Sequence, residues 1–171
     1  DARFENAGTG MMTGLELEGR LSLARVDDAL TGLKLGGNLA LIRSRVELDS
    51  AAAAIQTSQS RPMYGQSPYV VNLSLAYARP WLGELGLYYN VVGARIADVG
   101  TQGLPDTYEQ PQHRLDLALA RPMGRGWKLK ASVANVLDQD VALVQGDLTV
   151  TRYQPGVSAS LGLAWAPAAG N

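Results

Sequence analysis

The residues of this chain that could do chemistry are few, and their types and spacing do not assemble a catalytic site. The chain of 171 residues has one histidine and no cysteine, which is too little for a histidine-rich or thiolate metal site, a disulfide or a thiol nucleophile. Asp116 follows His113 by three residues, and on a β-strand that spacing puts the two side chains on opposite faces. The serines show no nucleophile elbow, and no P-loop is present. We therefore expect no enzyme activity, no cofactor and no metal site.

Polar and charged side chains recur instead at every second position of several segments. Glu16, Glu18 and Arg20 alternate with leucines, which is the pattern of a β-strand with one apolar and one polar face. Opposite charges on such faces can pair across neighbouring strands, for example Glu18 with Lys34. The residues expected on the polar faces are Glu16, Glu18, Arg20, Lys34, Asn38, Asn72, Asn90, Asp116, Lys128 and Lys130.

The elements that carry these side chains are predicted to be strands throughout. Alternation predicts seven strands, and we expect an eighth at residues 2–6; the seven are residues 15–23, 33–41, 69–77, 85–91, 115–119, 129–133 and 156–166. The connections between them alternate in length: residues 26–31, 78–83 and 122–126 are short, whereas 48–67, 98–112 and 138–154 are long. Short turns on one side and long loops on the other are typical of outer-membrane barrels.

Composition separates a membrane barrel from a soluble sandwich. The apolar faces are mostly leucine, whereas a sandwich core draws more on Val, Ile and Phe for sheet-to-sheet packing. The net charge of -1 gives no global attraction to nucleic acid, so no nucleic-acid partner is expected. Trp81 and Trp127 adjoin two of the short connections, Tyr77 lies near the first of them, and Trp165 closes the last strand. This places all four at one rim, as expected for an aromatic belt at one membrane interface.

With the strands assigned, local motifs along nearly the whole chain resemble the C-terminal part of the barrel of TonB-dependent receptors. Early segments similar to family motifs are Phe4-Glu5-Asn6-Ala7-Gly8, Gly14-Leu15-Glu16-Leu17-Glu18 and Pro68-Tyr69-Val70-Val71-Asn72-Leu73. Later ones are Tyr89-Asn90-Val91-Val92-Gly93-Ala94-Arg95, Arg114-Leu115-Asp116-Leu117, Asn135-Val136-Leu137-Asp138 and Tyr153-Gln154-Pro155-Gly156. Each motif is weak alone, but their shared order is specific. Val157 departs from the family pattern, which commonly has Arg there.

The resemblance implies an all-β fold, an antiparallel transmembrane β-barrel with about eight meandering strands as part of a wall of roughly 22 strands. Residues 1–171 would form the C-terminal portion of the barrel domain, with the plug domain and TonB box absent from this chain. The implied function is import of a scarce nutrient, such as a ferric siderophore, haem or cobalamin, across the outer membrane of a Gram-negative bacterium.

Partners also follow from the resemblance. They are outer-membrane lipid and lipopolysaccharide, the remainder of the barrel and the plug, the TonB complex indirectly, and a nutrient chelate as substrate. The polar faces would line the lumen or meet the plug, and residues of the long loops would touch the substrate. The loop candidates are Arg61, Tyr64, Tyr108, His113 and Arg152.

Arg43 and Arg45 continue the apolar face of their strand beyond Leu39 and Leu41. On that face they would lie just above the apolar band at the long-loop rim, where two guanidinium groups could bind lipopolysaccharide phosphates. A bulge after Leu41 would turn both of them to the polar side instead. The sequence leaves these two arrangements open.

Three other functions remain open. The first is a self-contained eight-stranded outer-membrane barrel with a structural or adhesive role. Such a barrel must fill its interior with side chains, whereas the inward set is rich in Gly, Ala and Ser, which favours the wide wall. The second is a soluble all-β binding domain, and the third is a histidine-dependent outer-membrane phospholipase or acyltransferase.

Overall fold

The computed structural model describes residues 8–48 and 56–166. In that part the chain forms strands and two single-turn 3-10 helices, Leu23–Arg25 and Asp28–Leu30, and no helix in it has the length and apolar character needed to cross a membrane. The first six strands are β1 (Thr9–Ser22), β2 (Leu33–Glu47), β3 (Ser60–Arg61), β4 (Tyr69–Arg79), β5 (Gly83–Val92) and β6 (Arg95–Asp98). The others are β7 (Thr107–Glu109), β8 (Gln112–Gly124), β9 (Trp127–Ala134), β10 (Val141–Gln145), β11 (Leu148–Tyr153) and β12 (Ser158–Trp165).

Seven long strands pair antiparallel in the order β1-β2-β4-β5-β8-β9-β12, and we call this sheet the wall. Chain order equals spatial order, so the wall is a meander, and its strands are the seven that the alternation predicts. The predicted eighth strand, at residues 2–6, lies outside the described residues. Within the described part the edge strands β1 and β12 do not pair with each other, so the sheet is open and is not a closed small barrel.

The register puts all the leucines of neighbouring strands on one side of the wall, the leucine face. One row across it joins Leu35, Leu75, Leu87 and Leu117. These side chains are open to the surroundings: Leu161 is 77% exposed and Leu17 56% exposed. Because the leucines do not interlock in a closed core, the leucine face differs from the core of the soluble all-β binding domain that the sequence left open, and its exposed apolar surface is compatible with lipid.

The connections alternate in length as predicted. On one side of the wall, the turn rim, residues 80–82 and 125–126 join their strands directly and the two 3-10 helices join β1 to β2. On the other side, the loop rim, long segments follow β2, β5 and β9.

The long segments are more ordered than the sequence predicts. Strands β6, β7, β10 and β11 form a second antiparallel sheet in the order β11-β10-β7-β6, which we call the loop sheet. Along the chain β6 follows β5, β7 precedes β8, β10 follows β9 and β11 precedes β12. The loop sheet therefore extends these four wall strands beyond the loop rim. Sequence alternation misses these strands because they are only three to six residues long.

Candidate functional site

The side of the wall opposite the leucines carries all ten residues predicted for it, and we call it the polar face. Strand parity and register put Glu16, Asn38, Asp116 and Lys130 on this side together with the other six. A hollow of about 210 Å³ lies on it, lined among others by Glu18, Asn72 and Asp116.

Three asparagines from adjacent strands form a hydrogen-bonded ladder across the polar face. Asn38 lies opposite Asn72, which lies opposite Asn90. The Asn72 amide donates to Oδ1 of Asn38 at 2.7 Å, and the Asn90 amide donates to Oδ1 of Asn72 at 2.6 Å. Cross-strand polar pairs of this kind stabilise a sheet, so the ladder ties β2, β4 and β5 together.

Ion pairs flank the ladder at both ends. Arg20 pairs with Glu18 at 2.9 Å on β1, and Arg114 pairs with Asp116 at 2.9 Å on β8. The expected pair between Glu18 and Lys34 does not form. The register puts Glu18 opposite Asn38 and Lys34 opposite Ser22. The two charged side chains therefore lie in different cross-strand rows and are not neighbours.

Tyr88 and Arg114 line the same hollow, although neither was among the predicted site residues. The Tyr88 ring lies along the wall over Gly86, where an added Cβ would meet the hydroxyl at 2.6 Å. Glycine at position 86 therefore provides the space for the ring. Both residues could have been found from sequence, because each is an even-numbered position of a segment whose even positions are polar.

A second hollow lies at the loop sheet. This open cavity of about 510 Å³ is lined by Asp106, Tyr108, Gln110, Thr57 and Ser58, with apolar contributions from Ala94, Pro105 and Val144. Its volume falls in the range of small-molecule sites, about 300–1,000 Å³.

Two segments distant in sequence build this loop cavity. The backbone N–H of Thr57 donates to the Gly100 carbonyl at 3.0 Å, and the Thr57 hydroxyl accepts from the Gly103 N–H at 3.1 Å. Nothing in the alternation pattern predicts this contact, so Thr57, Ser58 and Asp106 are not recognisable as site residues from the sequence.

Tyr108 and Asp106 give the cavity its polar chemistry. Asp106 is buried and accepts a hydrogen bond from the Gly100 N–H at 2.8 Å. Burial raises the pKa of the Tyr108 phenol above its ordinary value, the Asp106 carboxylate raises it further, and the Arg61 guanidinium opposes both. Tyr108 is therefore a neutral hydrogen-bond donor at physiological pH.

Three of the five loop candidates lie around this part of the loop sheet. Tyr108 on β7 lines the cavity, Arg61 on β3 is close enough to influence its pKa, and the Tyr64 hydroxyl donates to the Ala97 carbonyl at 2.9 Å. Arg152 lies elsewhere, on β11, where it faces Asp140 at 3.9 Å.

His113 is not a loop residue. It belongs to β8, opposite Val91, and has the parity of the leucine face. Its Nδ1 lies 2.7 Å from the Tyr89 hydroxyl, and Oε1 of Gln139 accepts from its backbone N–H at 2.7 Å. The structure thus separates His113 from the loop cavity.

The aromatic residues predicted for one interface gather at the turn rim. Trp127 lies opposite Trp165, with ring centroids 6.4 Å apart, and Trp81 stands exposed in the turn after β4. Tyr77 lies on the leucine face opposite Leu33, where its hydroxyl accepts from Nε of Arg79 at 3.0 Å. This arrangement fits side chains at a membrane–water boundary.

A lipid-compatible leucine face, a polar inner face and long structured loops on one side define a transmembrane β-barrel wall. A family model described as TonB dependent receptor-like, beta-barrel, matches residues 1–136 of the 171. No curated protein and no solved structure matches the chain.

The chain belongs to the TonB-dependent receptor β-barrel family. This family is one of outer-membrane proteins of Gram-negative bacteria, and membership indicates outer-membrane nutrient import in general. The leucine face and the polar face are the two sides of this partial barrel wall.

Proposed function

We propose that this chain is part of a receptor that imports a scarce nutrient chelate, such as a ferric siderophore, haem or cobalamin, through the outer membrane with energy from the TonB complex. The observation that carries the proposal is the loop cavity, about 510 Å³ in volume and lined by polar and apolar side chains at the loop sheet. Its donors and acceptors, Tyr108, Asp106 and Gln110, would contact the nutrient. The chain performs no catalytic step in this proposal.

The wall has a separate role. The asparagine ladder and the flanking ion pairs present a hydrated surface to the rest of the barrel, the plug and the passing nutrient. The leucine face meets outer-membrane lipid, and lipopolysaccharide lies against the loop rim.

Uptake tests this proposal. Cells lacking the protein are complemented with wild type, Tyr108→Ala or Asp106→Asn, and each is supplied with a ferric siderophore, haem or cobalamin as the limiting nutrient. We expect one of these nutrients to be taken up in a TonB-dependent manner, with a lower apparent affinity in both cavity variants. Asp147→Asn, at the exposed turn between β10 and β11, is the matched control and should transport normally. Equal uptake with and without the protein for all three nutrients would refute the proposal.

A further inference from the structure

The leucine face of β2 ends abruptly in arginines. Its outward positions are Leu33, Leu35, Gly37, Leu39 and Leu41, followed by Arg43 and Arg45. The β1–β2 register runs without a shift from Thr9 opposite Glu47 to Ser22 opposite Lys34. Because no bulge interrupts it, Arg43 and Arg45 stay on the leucine face, and the bulged alternative is wrong.

The height of these arginines matches one membrane boundary. Leu33 lies opposite Tyr77, which marks the aromatic turn rim. Ten residues at about 3.3 Å each, on a strand tilted by roughly 40°, put Arg43 about 25 Å above that level. The apolar band of outer-membrane barrels is also about 25 Å tall. Arg43 therefore lies at the opposite interface, with Arg45 one pleat further out.

Both arginine side chains are exposed in the described part of the chain. The neighbouring residues on β1 are Thr13, opposite Arg43, and Met11, opposite Arg45, and both are uncharged. Within residues 8–48 and 56–166, Arg43 makes no ion pair. Nε of Arg45 lies 3.2 Å from Oε1 of Glu47, but both side chains are more than 60% exposed. Such a pair is weak and yields to a stronger anion.

We infer that Arg43 and Arg45 form a site for the phosphate-bearing headgroup of a lipid in the outer leaflet. Guanidinium groups bind phosphate through two parallel N–H···O bonds. The two side chains leave the same face of the strand about 7 Å apart, so both reach one headgroup. The leucines below them offer the acyl chains an apolar surface, which a free anion would not use. This inference rests on the outer-membrane placement in the proposed function but not on transport.

Lipid retention by the purified protein in detergent micelles tests the inference. The probes are bisphosphorylated lipid A, monophosphoryl lipid A with the same acyl chains, and inorganic phosphate, and bound lipid is counted by native mass spectrometry. We expect wild type to retain bisphosphorylated lipid A, and Arg43→Gln/Arg45→Gln to weaken retention about tenfold or more. Arg43→Lys/Arg45→Lys, which keeps the charges but loses the bidentate geometry, should fall between them.

The matched control removes two arginines at the other rim. Arg79→Gln/Arg121→Gln removes the same number of positive charges as Arg43→Gln/Arg45→Gln, but at the turn-rim ends of β4 and β8. This variant should retain lipid A like wild type. Equal retention in the two double glutamine variants would overturn the inference. Displacement of lipid A by millimolar inorganic phosphate would also overturn it, because the site would then hold a free anion. Nutrient uptake, measured separately in the same variants, shows whether the proposed transport function stands or fails independently.

Discussion

The backbone N–H of Asn135 donates to Oδ1 of Asp116 at 2.8 Å, across 19 residues of sequence. Asn135 has a φ of 58°, in the left-handed region that non-glycine residues rarely adopt. Its side-chain amide donates in turn to the carbonyl of Gly156 at 2.9 Å. One asparagine thus joins β8 to the start of β12, at the level where the wall ends and the loop sheet begins.

Removing the Asp116 carboxylate should therefore destabilise this junction. Asp116→Ala leaves the Asn135 N–H and the Arg114 side chain without their acceptor, and we expect a loss of about 1–3 kcal/mol in the free energy of unfolding. Urea unfolding of the protein in lipid or detergent measures it. Asp116→Asn keeps an oxygen acceptor and should recover part of the loss. Glu16→Ala removes an exposed carboxylate from the same face and should change little; an equal effect of the two alanine variants would contradict the prediction.

The same junctions explain why the resemblance could be found from sequence. Asp116, Asn135 and Gly156 belong to three of the motifs that resemble the family, and they meet in one hydrogen-bonded cluster. In another motif, Gly93 lies under the Tyr69 ring, where an added Cβ would be 2.7 Å from Cε1. These motifs mark places where strands must bend or approach closely, so they report the fold and carry no information on the nutrient.

The wall was predictable because its seven strands obey one period over their whole length, with apolar side chains on one face and polar side chains on the other. The loop sheet was not, since β6, β7 and β10 are too short for a periodic signal and their pairing depends on contacts far apart in sequence. The same reason applies to the loop cavity. His113 was misplaced because β8 begins at Gln112, three residues before the first leucine that signals it.

A charge placed on the leucine face should be costly in a bilayer. Leu73 lies midway between Tyr69 and Tyr77 on β4, so Leu73→Lys puts an ammonium group near the centre of the apolar band. We expect it to cost about 2–4 kcal/mol for folding into lipid vesicles. Ser74→Lys, one residue away on the polar face, should cost far less. Leu73→Ala removes the leucine's packing over Gly37 without adding a charge, so it measures that part of the cost separately. Similar costs for the two lysine variants would contradict a lipid-facing leucine face, and a higher cost for Ser74→Lys would mean that the two faces are assigned the wrong way round.

The asparagine ladder predicts that its middle member matters most. Asn72 makes two side-chain hydrogen bonds, whereas the ladder gives Asn38 and Asn90 one each. We expect Asn72→Ala to lower the free energy of unfolding by about 1–2 kcal/mol and each end variant by about half as much. Ser74→Ala, on the same strand and face, is the control, because it removes only a long hydrogen bond of 3.4 Å from the Ser74 hydroxyl to the Gly36 carbonyl. An equal loss of stability in all three asparagine variants would contradict the prediction that the number of ladder hydrogen bonds sets the cost.

Tyr108 gives a pH dependence whose sign follows from its environment. Burial, reinforced by Asp106, raises the pKa of the phenol in the folded state, so folding holds this proton more tightly than the unfolded chain does. The resulting stabilisation is fully present below about pH 10, the ordinary phenol pKa, and is lost as the pH rises through the higher folded-state value. Tyr108→Phe should therefore lose less stability than wild type above pH 10. The difference in tyrosinate absorbance between wild type and Tyr108→Phe, followed as the pH rises, isolates Tyr108 among the seven tyrosines. A titration midpoint of Tyr108 below pH 10 would contradict the raised pKa.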